Sequence, residues 1–399
     1  MLAPKTLTIY WGNFKMPILT LYLGLYNGVK YIESLFHQIQ LQEYQDFKIL
    51  VVDNNSSDES FKLIKHWQKV YKSNIQIVKN KFNYGGHGSL IKNIDKIETP
   101  WFCTFHQDDF YKANHLSTLI DLILASTKNT VGVSTTMGSM TKDARTIATK
   151  PRINWFSSNL DQPGQFLQNL KAQAVPYPAS AFKLSIFKKT QVPFHSPTFS
   201  DTEQTLRMLG YGKFIFSQKE TMLYRENPES ESHKLNEYEK IIGTAVSLAR
   251  VFHSREFNLL LDTVEKKKRE KFAKQVLLAL NSRIKNSVLS NTIENMALEQ
   301  MLIKWGYAEN GVTSLLSKNY AKTSSVQAIE VLNNLSNNSV KFEQFTNRKE
   351  TIRPSKRIWD LYFKTNMVRS QLLNRIVLKN IYRMIFLVKP NHVFKNKWK

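Results

Sequence analysis

Two adjacent carboxylates, Asp108 and Asp109, stand just beyond a short apolar run, Trp101–Phe105, with His106 and Gln107 between. Hard oxygen ligands of this kind suit Mg²⁺ or Mn²⁺, and such a cation suits phosphates. In open α/β sheets, ligands gather outside the carboxyl ends of the strands. A buried strand ending in these residues would therefore deliver a carboxylate to a metal–diphosphate. The same residues could equally form an acidic turn, with Asp109 or Asn114 capping the next helix.

The elements that would position such a site can be read upstream. Ile18–Leu23 reads as a buried strand, nearly all apolar as in a parallel sheet. The turn Gly24–Gly28 follows, then a helix over Val29–Gln42 with Ile32, Leu35, Phe36 and Ile39 on one face. Phe47–Val52 is a second strand ending at Asp53, where the polar stretch to Asp58 can form an Asx turn or a helix cap. Phe61, Ile64 and Trp67 mark a helix, and Ile75–Val78 a third strand. Asn83–Gly88 is glycine-rich but lacks the Gly-Lys-Ser/Thr of a phosphate-binding Walker loop. Leu90, Ile91, Ile94 and Ile97 pattern as a helix closed by Pro100. Strands alternating with helices predict an α/β unit with a parallel sheet. The polar tips at Tyr26, Asp53, Gly85 and Asp108 then share one sheet edge and can share one ligand.

Further on, Leu116–Leu124 is amphipathic and Thr130–Ser134 is another strand. Residues 137–175 are polar and irregular, and Pro176–Phe182 opens the next recognisable block. Beyond Leu235 strand signals vanish, and helical spacing recurs in four segments between Ile241 and Leu335.

The chain has 399 residues, 42% of them hydrophobic, so it can build a real core in two or three domains. Its formal net charge of +24 predicts attraction to an anionic partner: nucleic acid, a lipid surface or a phosphorylated substrate. The lone cysteine, Cys103, permits no internal disulfide, which points to a reducing compartment. It is a catalytic thiol or, more simply, a small buried residue. No apolar run approaches the ~20 residues of a membrane span, and the N-terminus lacks the pattern of a signal peptide. The tail from Arg353 interleaves basic and apolar residues around a single acid, Asp360. It is either a helix lying on an anionic membrane surface or a basic helix docked on the protein.

Four stretches together carry a resemblance: Leu23–Gly28, Ile49–Asp58, Asn83–Gly85 and His106–Asp109. In order and spacing, across roughly residues 17–235, they resemble family 2 glycosyltransferases of the GT-A fold. The resemblance implies a nucleotide-sugar donor, a divalent cation (Mn²⁺ or Mg²⁺) and inversion at the anomeric carbon. It assigns Tyr26 and Asp53 to the nucleotide base and ribose, with Asn27, Asn83, His106, Gln107 and Asp108 completing the donor set. His106-Gln107-Asp108 occupies the place of the family's Asp-X-Asp metal motif, departing from it at His106. Asp108 matches the direct metal ligand, and His233 is a further candidate ligand. Phe199–Gly210 resembles the family's Glu-Asp motif, with Ser200 in place of the Glu. Asp201 then matches the general base that deprotonates the acceptor hydroxyl. Glu203 is its competitor, and Ser200, Asp201 and Glu203 also form an ordinary helix N-cap arrangement.

The expected organisation is a GT-A domain with a mostly parallel sheet over 1–235, a helical domain over 236–340 and a basic amphipathic tail over 341–399. The expected function is inverting transfer from a UDP- or dTDP-sugar to a glycan or lipid-linked acceptor in cell-surface polysaccharide synthesis. The expected location is cytoplasmic, peripheral on the inner face of the membrane. The competing reading is a non-catalytic polyanion- or nucleic-acid-binding protein on a degenerate GT-A scaffold, although no nucleic-acid motif is present.

Overall fold

The apolar run from Leu19 becomes the strand on which the sheet is assembled. A computed structural model describes residues 9–11, 14–71, 74–141, 159–172, 174–192, 200–226 and 254–268, with isolated helical positions between 247 and 279. Strands β1 (Ile9–Trp11) and β2 (Phe14–Met16) form a separate antiparallel hairpin. The main unit then runs β3 (Leu19–Leu25), α1 (Val29–Gln40), β4 (Lys48–Asp53), α2 (Ser60–Tyr71), β5 (Ile75–Lys79), α3 (Gly85–Asn93) and β6 (Trp101–Phe105). It continues through β7 (Phe110–Tyr111), α4 (His115–Leu124), β8 (Thr130–Met140), α5 (Gln162–Ala172), β9 (Ser180–Lys183) and α6 (Leu184–Lys189). The last elements are α7 (Ser200–Met208), β10 (Lys213–Arg225) and α8 (Arg255–Asp262). Eight strands make one sheet in the order β5-β4-β3-β6-β9-β8-β10-β7. The half from β5 to β6 is parallel, as is the β8–β10 pair, whereas β9 runs antiparallel to both its neighbours and β7 antiparallel to β10.

Alternation along the strands sends side chains to two cores. Leu21, Leu23, Ile49, Val51, Cys103 and Phe105 pack with Phe36 of α1, Ile64 of α2 and Leu119 of α4. Tyr22, Leu50, Val52, Phe102 and Phe182 pack with Leu90 of α3, Phe166 of α5, Phe187 of α6, Leu206 of α7 and Phe257 of α8. Helices on both faces explain why these strands read as nearly continuous apolar runs. Cys103 is buried and free, and burial pushes its thiol pKa up, which makes it an inert core residue.

Three expectations are corrected. The glycine-rich stretch is a loop only to Tyr84; Gly85–Gly88 form the first turn of α3. Residues 137–175 are not irregular throughout, since β8 continues to Met140 and α5 is a packed helix. The inner face of α5 is partly amides, which hid it from a hydrophobic pattern. Gln165 exchanges two hydrogen bonds with the backbone of Phe214, at 3.0 and 2.9 Å, and Asn169 donates to Thr205 at 2.8 Å. Finally, the segment Met222–His233 reads from its polar, charged sequence as a solvated loop, whereas Met222–Arg225 is the end of β10. Register shifts around Glu220 break the period of two in this strand. His233, most of the expected helical domain and all of the basic tail lie outside the described residues.

Helices α7 and α8 are joined by buried charge. Arg207 places Nη2 3.0 Å from Glu256 Oε2 and Nη1 3.8 Å from Glu203 Oε1, and all three side chains are largely buried. Removing the cation alone leaves two carboxylates in low dielectric, which costs about 3–5 kcal/mol. Arg207→Met should lower the unfolding free energy by about that amount in urea titration, and an unchanged midpoint would contradict this packing.

Candidate functional site

At the tips of β3, β4 and β6 the regular ladders end, and side chains take over the backbone's hydrogen bonds. Asn27 sits in the left-handed region at φ 45°, a conformation that asparagine tolerates better than most residues. Its N–H donates to Ser56 Oγ at 3.0 Å, and its own Oδ1 accepts from Ser57 N–H at 2.8 Å. The next two amides, of Gly28 and Val29, donate to Ser60 Oγ and Asp58 Oδ2 at 2.9 and 3.2 Å. These bonds start α1 with no cap from its own preceding residue and lock the β3 tip to the β4 tip.

Gln107 ties the β3 tip to the β6 tip. Its amide accepts from Tyr26 N–H and donates to Tyr26 C=O, both at 3.1 Å. The Gln107 amide is thus engaged in holding the Tyr26 backbone. The Tyr26 ring itself is exposed, as a stacking surface requires. Asp53 is fully buried: its carboxylate accepts from Ser56 N–H at 3.2 Å and lies 3.9 Å from Lys79 Nζ. That bond spans three residues; the Asx turn anticipated in this stretch is made by Asp58, whose Oδ1 accepts from Ser60 N–H at 3.0 Å. Asn83 is exposed, with Oδ1 turned inward to accept from Asn54 at 2.7 Å and from Gly85 N–H at 2.9 Å.

Beyond β6 the chain makes a tight turn held from below. Tyr111 stacks on Phe105 at 3.8 Å between centroids, and its hydroxyl accepts from His106 N–H at 2.8 Å. Arg225, at the end of β10, donates from Nε to the Asp108 carbonyl at 2.6 Å and from its backbone N–H to Asp109 Oδ1 at 2.9 Å. Its guanidinium lies over the Tyr31 ring, 5.7 Å from the centroid. Sequence patterning undervalued Arg225 because its strand has no clean alternation, and nothing marked Tyr111 apart from its neighbours.

The two carboxylates beyond His106 have different surroundings. Asp108 is partly exposed, whereas Asp109 is buried. Burial, and secondarily the charge of Asp108, push the Asp109 pKa well above the usual carboxylate range, and the Arg225 amide and charge oppose that only in part. Asp109 Oδ2 lies 3.5 Å from His106 Nδ1 and has no hydrogen-bond partner. Burial lowers the His106 pKa, while the charges of Asp108 and of Asp201 pull it upward. Asp201, on the first turn of α7, accepts from Thr202 N–H at 2.7 Å, and its charge also reaches buried Tyr177. The fold thus brings Asp108 and Asp201, 93 positions apart in the chain (201 − 108), to bear on one imidazole. Glu203 is fully buried beside Arg207.

Among the described residues no three His, Cys, Asp or Glu side chains converge to enclose a metal ion. Of the adjacent pair, Asp108 is the carboxylate exposed enough that it could meet a cation, while Asp109 is the buried acceptor of the Arg225 N–H.

Comparison with known proteins gives a consistent picture. Residues 22–191 match the family described as Glycosyl transferase family 2. A teichoic acid poly(glycerol phosphate) polymerase of Staphylococcus epidermidis is 25% identical over 202 residues, 49% of this chain and 27% of that protein. The dTDP-rhamnosyl transferase RfbG of Shigella flexneri is 28% identical over 111 residues, 27% of this chain and 38% of that one. The chain spans well under half the length of either relative. The crystal structure of S. aureus TarS aligns with a TM-score of 0.51 at 15% identity, covering 82% of this chain and 55% of that one, and shares the fold.

A carboxyl whose folded pKa is raised stabilises the protein only below its unfolded value near 4; stability is lost as pH rises above it. Asp109→Asn keeps the acceptor for Arg225 N–H and removes that loss. The variant should be about as stable as wild type at pH 4 and more stable at pH 7 in urea titration. Equal stability at both pH values would contradict the neutral-acid assignment.

Proposed function

We propose that the chain, whose residues 22–191 match the family described as Glycosyl transferase family 2 and whose fold is shared with TarS, transfers a sugar, with inversion, from a nucleotide-diphosphate sugar to a glycan or lipid-linked acceptor. The observation that carries this reading is that the charges of Asp108, from the turn after β6, and of Asp201, at the head of α7, both act on the His106 imidazole. Donor and acceptor chemistry need two carboxylates with separate tasks, and the proposal gives them to these two.

In this reading Tyr26 stacks on the base, Asn83 meets the nucleoside and Asn27 lies beside them, while Asp53, expected to hold the nucleoside, is fully buried and shapes the turn beneath it instead. Gln107 keeps the Tyr26 backbone in place, and His106 faces the phosphate or sugar hydroxyls. Asp108, with the donor's own phosphate oxygens, would hold Mg²⁺ or Mn²⁺, which neutralises charge on the departing diphosphate. Asp201 accepts the proton of the acceptor hydroxyl as its oxygen attacks the anomeric carbon. The attack comes from the face opposite the nucleotide, the bond to the diphosphate oxygen breaks, and the electron pair leaves with the nucleotide. This geometry inverts the anomeric centre, as a base acting opposite a leaving group does in inverting glycosidases.

The name of the rhamnosyl transferase relative supports a dTDP-sugar donor, with a UDP-sugar as the close chemical alternative. The name of the polymerase relative supports an acceptor in cell-surface polymer synthesis. The basic tail would then rest on the cytoplasmic membrane surface, where its lysines and arginines meet anionic lipid.

The test is nucleotide release from a panel of UDP-, dTDP- and GDP-sugars with Mn²⁺, Mg²⁺ or EDTA. Wild type should release one nucleotide only with metal, and Asp108→Ala should abolish release. Asp201→Asn should bind the donor normally but lose about 10²–10⁴ in transfer rate, the usual share of a general base. A chain that neither releases nor binds any of the nucleotides would instead be the polyanion-binding protein that its charge permits.

A further inference from the structure

Behind the donor side of the site runs an unbroken chain of buried amides. Asn54 uses all four hydrogen-bonding positions of its side chain. Its Nδ2 donates to Asn83 Oδ1 at 2.7 Å and to the Gly85 carbonyl at 3.2 Å. Its Oδ1 accepts from Asn80 Nδ2 at 3.0 Å and from Tyr84 N–H at 3.1 Å. Asn80 in turn donates to Ser89 Oγ at 3.0 Å and accepts from Asn93 Nδ2 at 3.1 Å, and its backbone N–H reaches the Asp53 carbonyl at 2.8 Å. Asn93 also donates to the Ser89 carbonyl at 2.9 Å, and Tyr22 of β3 donates to Ser89 Oγ at 3.2 Å. Asn54, Asn80, Ser89 and Asn93 are all at most 4% exposed.

We infer that Asn54, Asn80 and Asn93 are positioning residues for the donor pocket, fixing Asn83 and the first turn of α3 against the tip of β4. The inference rests on the donor reading given above and extends it to residues that touch no ligand. Two features carry it. Gly85 takes φ 73° at the junction, where no ladder holds the backbone, so the Asn54 contacts to Tyr84, Gly85 and Asn83 set the path of the loop. The direction of the chain also decides which end of the Asn83 amide faces out. With Oδ1 engaged inward by two donors, Nδ2 is the group turned toward the ligand side. Aspartate in place of Asn54 or Asn80 is isosteric but loses both N–H donors and adds a buried charge close to Asp53.

The test is calorimetric titration of the full chain with UDP and with dTDP, in Mg²⁺, on Asn80→Asp, Asn93→Ala and Asn83→Ala. Thr99→Val is the control, because Thr99 makes a comparably buried pair with Thr20 at 2.6 Å at the opposite end of β3. Thermal melts accompany each variant. Asn80→Asp and Asn93→Ala should bind nucleotide about tenfold more weakly, whereas Thr99→Val should lose stability with affinity unchanged. In the Asn83→Ala background the Asn80→Asp effect should shrink, because its route runs through Asn83. Wild-type affinity in Asn80→Asp, or the same loss with and without Asn83, would overturn the positioning role. If Asn83→Ala alone binds as wild type, the assignment of Asn83 to the donor falls. If wild type binds neither nucleotide, the donor reading fails, and the inference fails with it.

Discussion

The tips of the central strands pose one problem on which the rest of the site depends. There the backbone N–H and C=O groups leave the sheet ladder, and buried ones must still find partners. This chain answers with short polar side chains drawn from neighbouring tips, so that each loop satisfies the backbone of another. Ser56 and Ser60 serve Asn27 and Gly28, Gln107 serves Tyr26, and Asn54 serves Tyr84 and Gly85. None of these loops keeps its shape alone. The arrangement is set before any ligand arrives, so binding does not have to order it.

The second constraint is electrostatic. Asp109 lies 3.5 Å from His106, and the charges of Asp108 and Asp201 act on the same imidazole. Burial resolves part of the conflict by disfavouring charge on Asp109, and Arg225 offers its amide and guanidinium to the same turn. A pair of adjacent aspartates is thus divided into a buried acceptor and an accessible carboxylate. The resemblance singles out Asp108, and the turn beyond β6 with the cover of β10 gives the physical difference between the two.

The donor half was legible because its physics is local. Apolar runs of strand length, each followed by Asn, Ser, Asp or Gly, announce parallel strands with polar tips, and β3, β4, β5 and β6 fell within a residue or two of the runs at Leu19, Lys48, Ile75 and Trp101. The later half was harder to read for identifiable reasons. In α5, buried positions are filled by Gln165 and Asn169, which are polar but paired. In β10, shifted register around Glu220 erases alternation. The role of Arg225 depends on contacts more than 80 positions away, which no local window contains. The same holds for the Gln107 amide, whose partner is 81 positions distant.

Strand β9 divides the sheet into two halves that can evolve at different rates. It lies antiparallel between β6 and β8, with only three paired positions on each side. On one side of it lie the interlocked tips of β3, β4 and β6; on the other lie β8, β10 and β7. Loops on the later side that make none of the hydrogen bonds shaping the earlier tips can lengthen or diverge without disturbing them. Tethers across the seam set the limit. Arg225 holds Asp108 and Asp109, and Tyr111 of β7 accepts from His106 N–H and donates its own N–H to Gln38, so drift on the later side is free only as far as the ends of β7 and β10 stay in register.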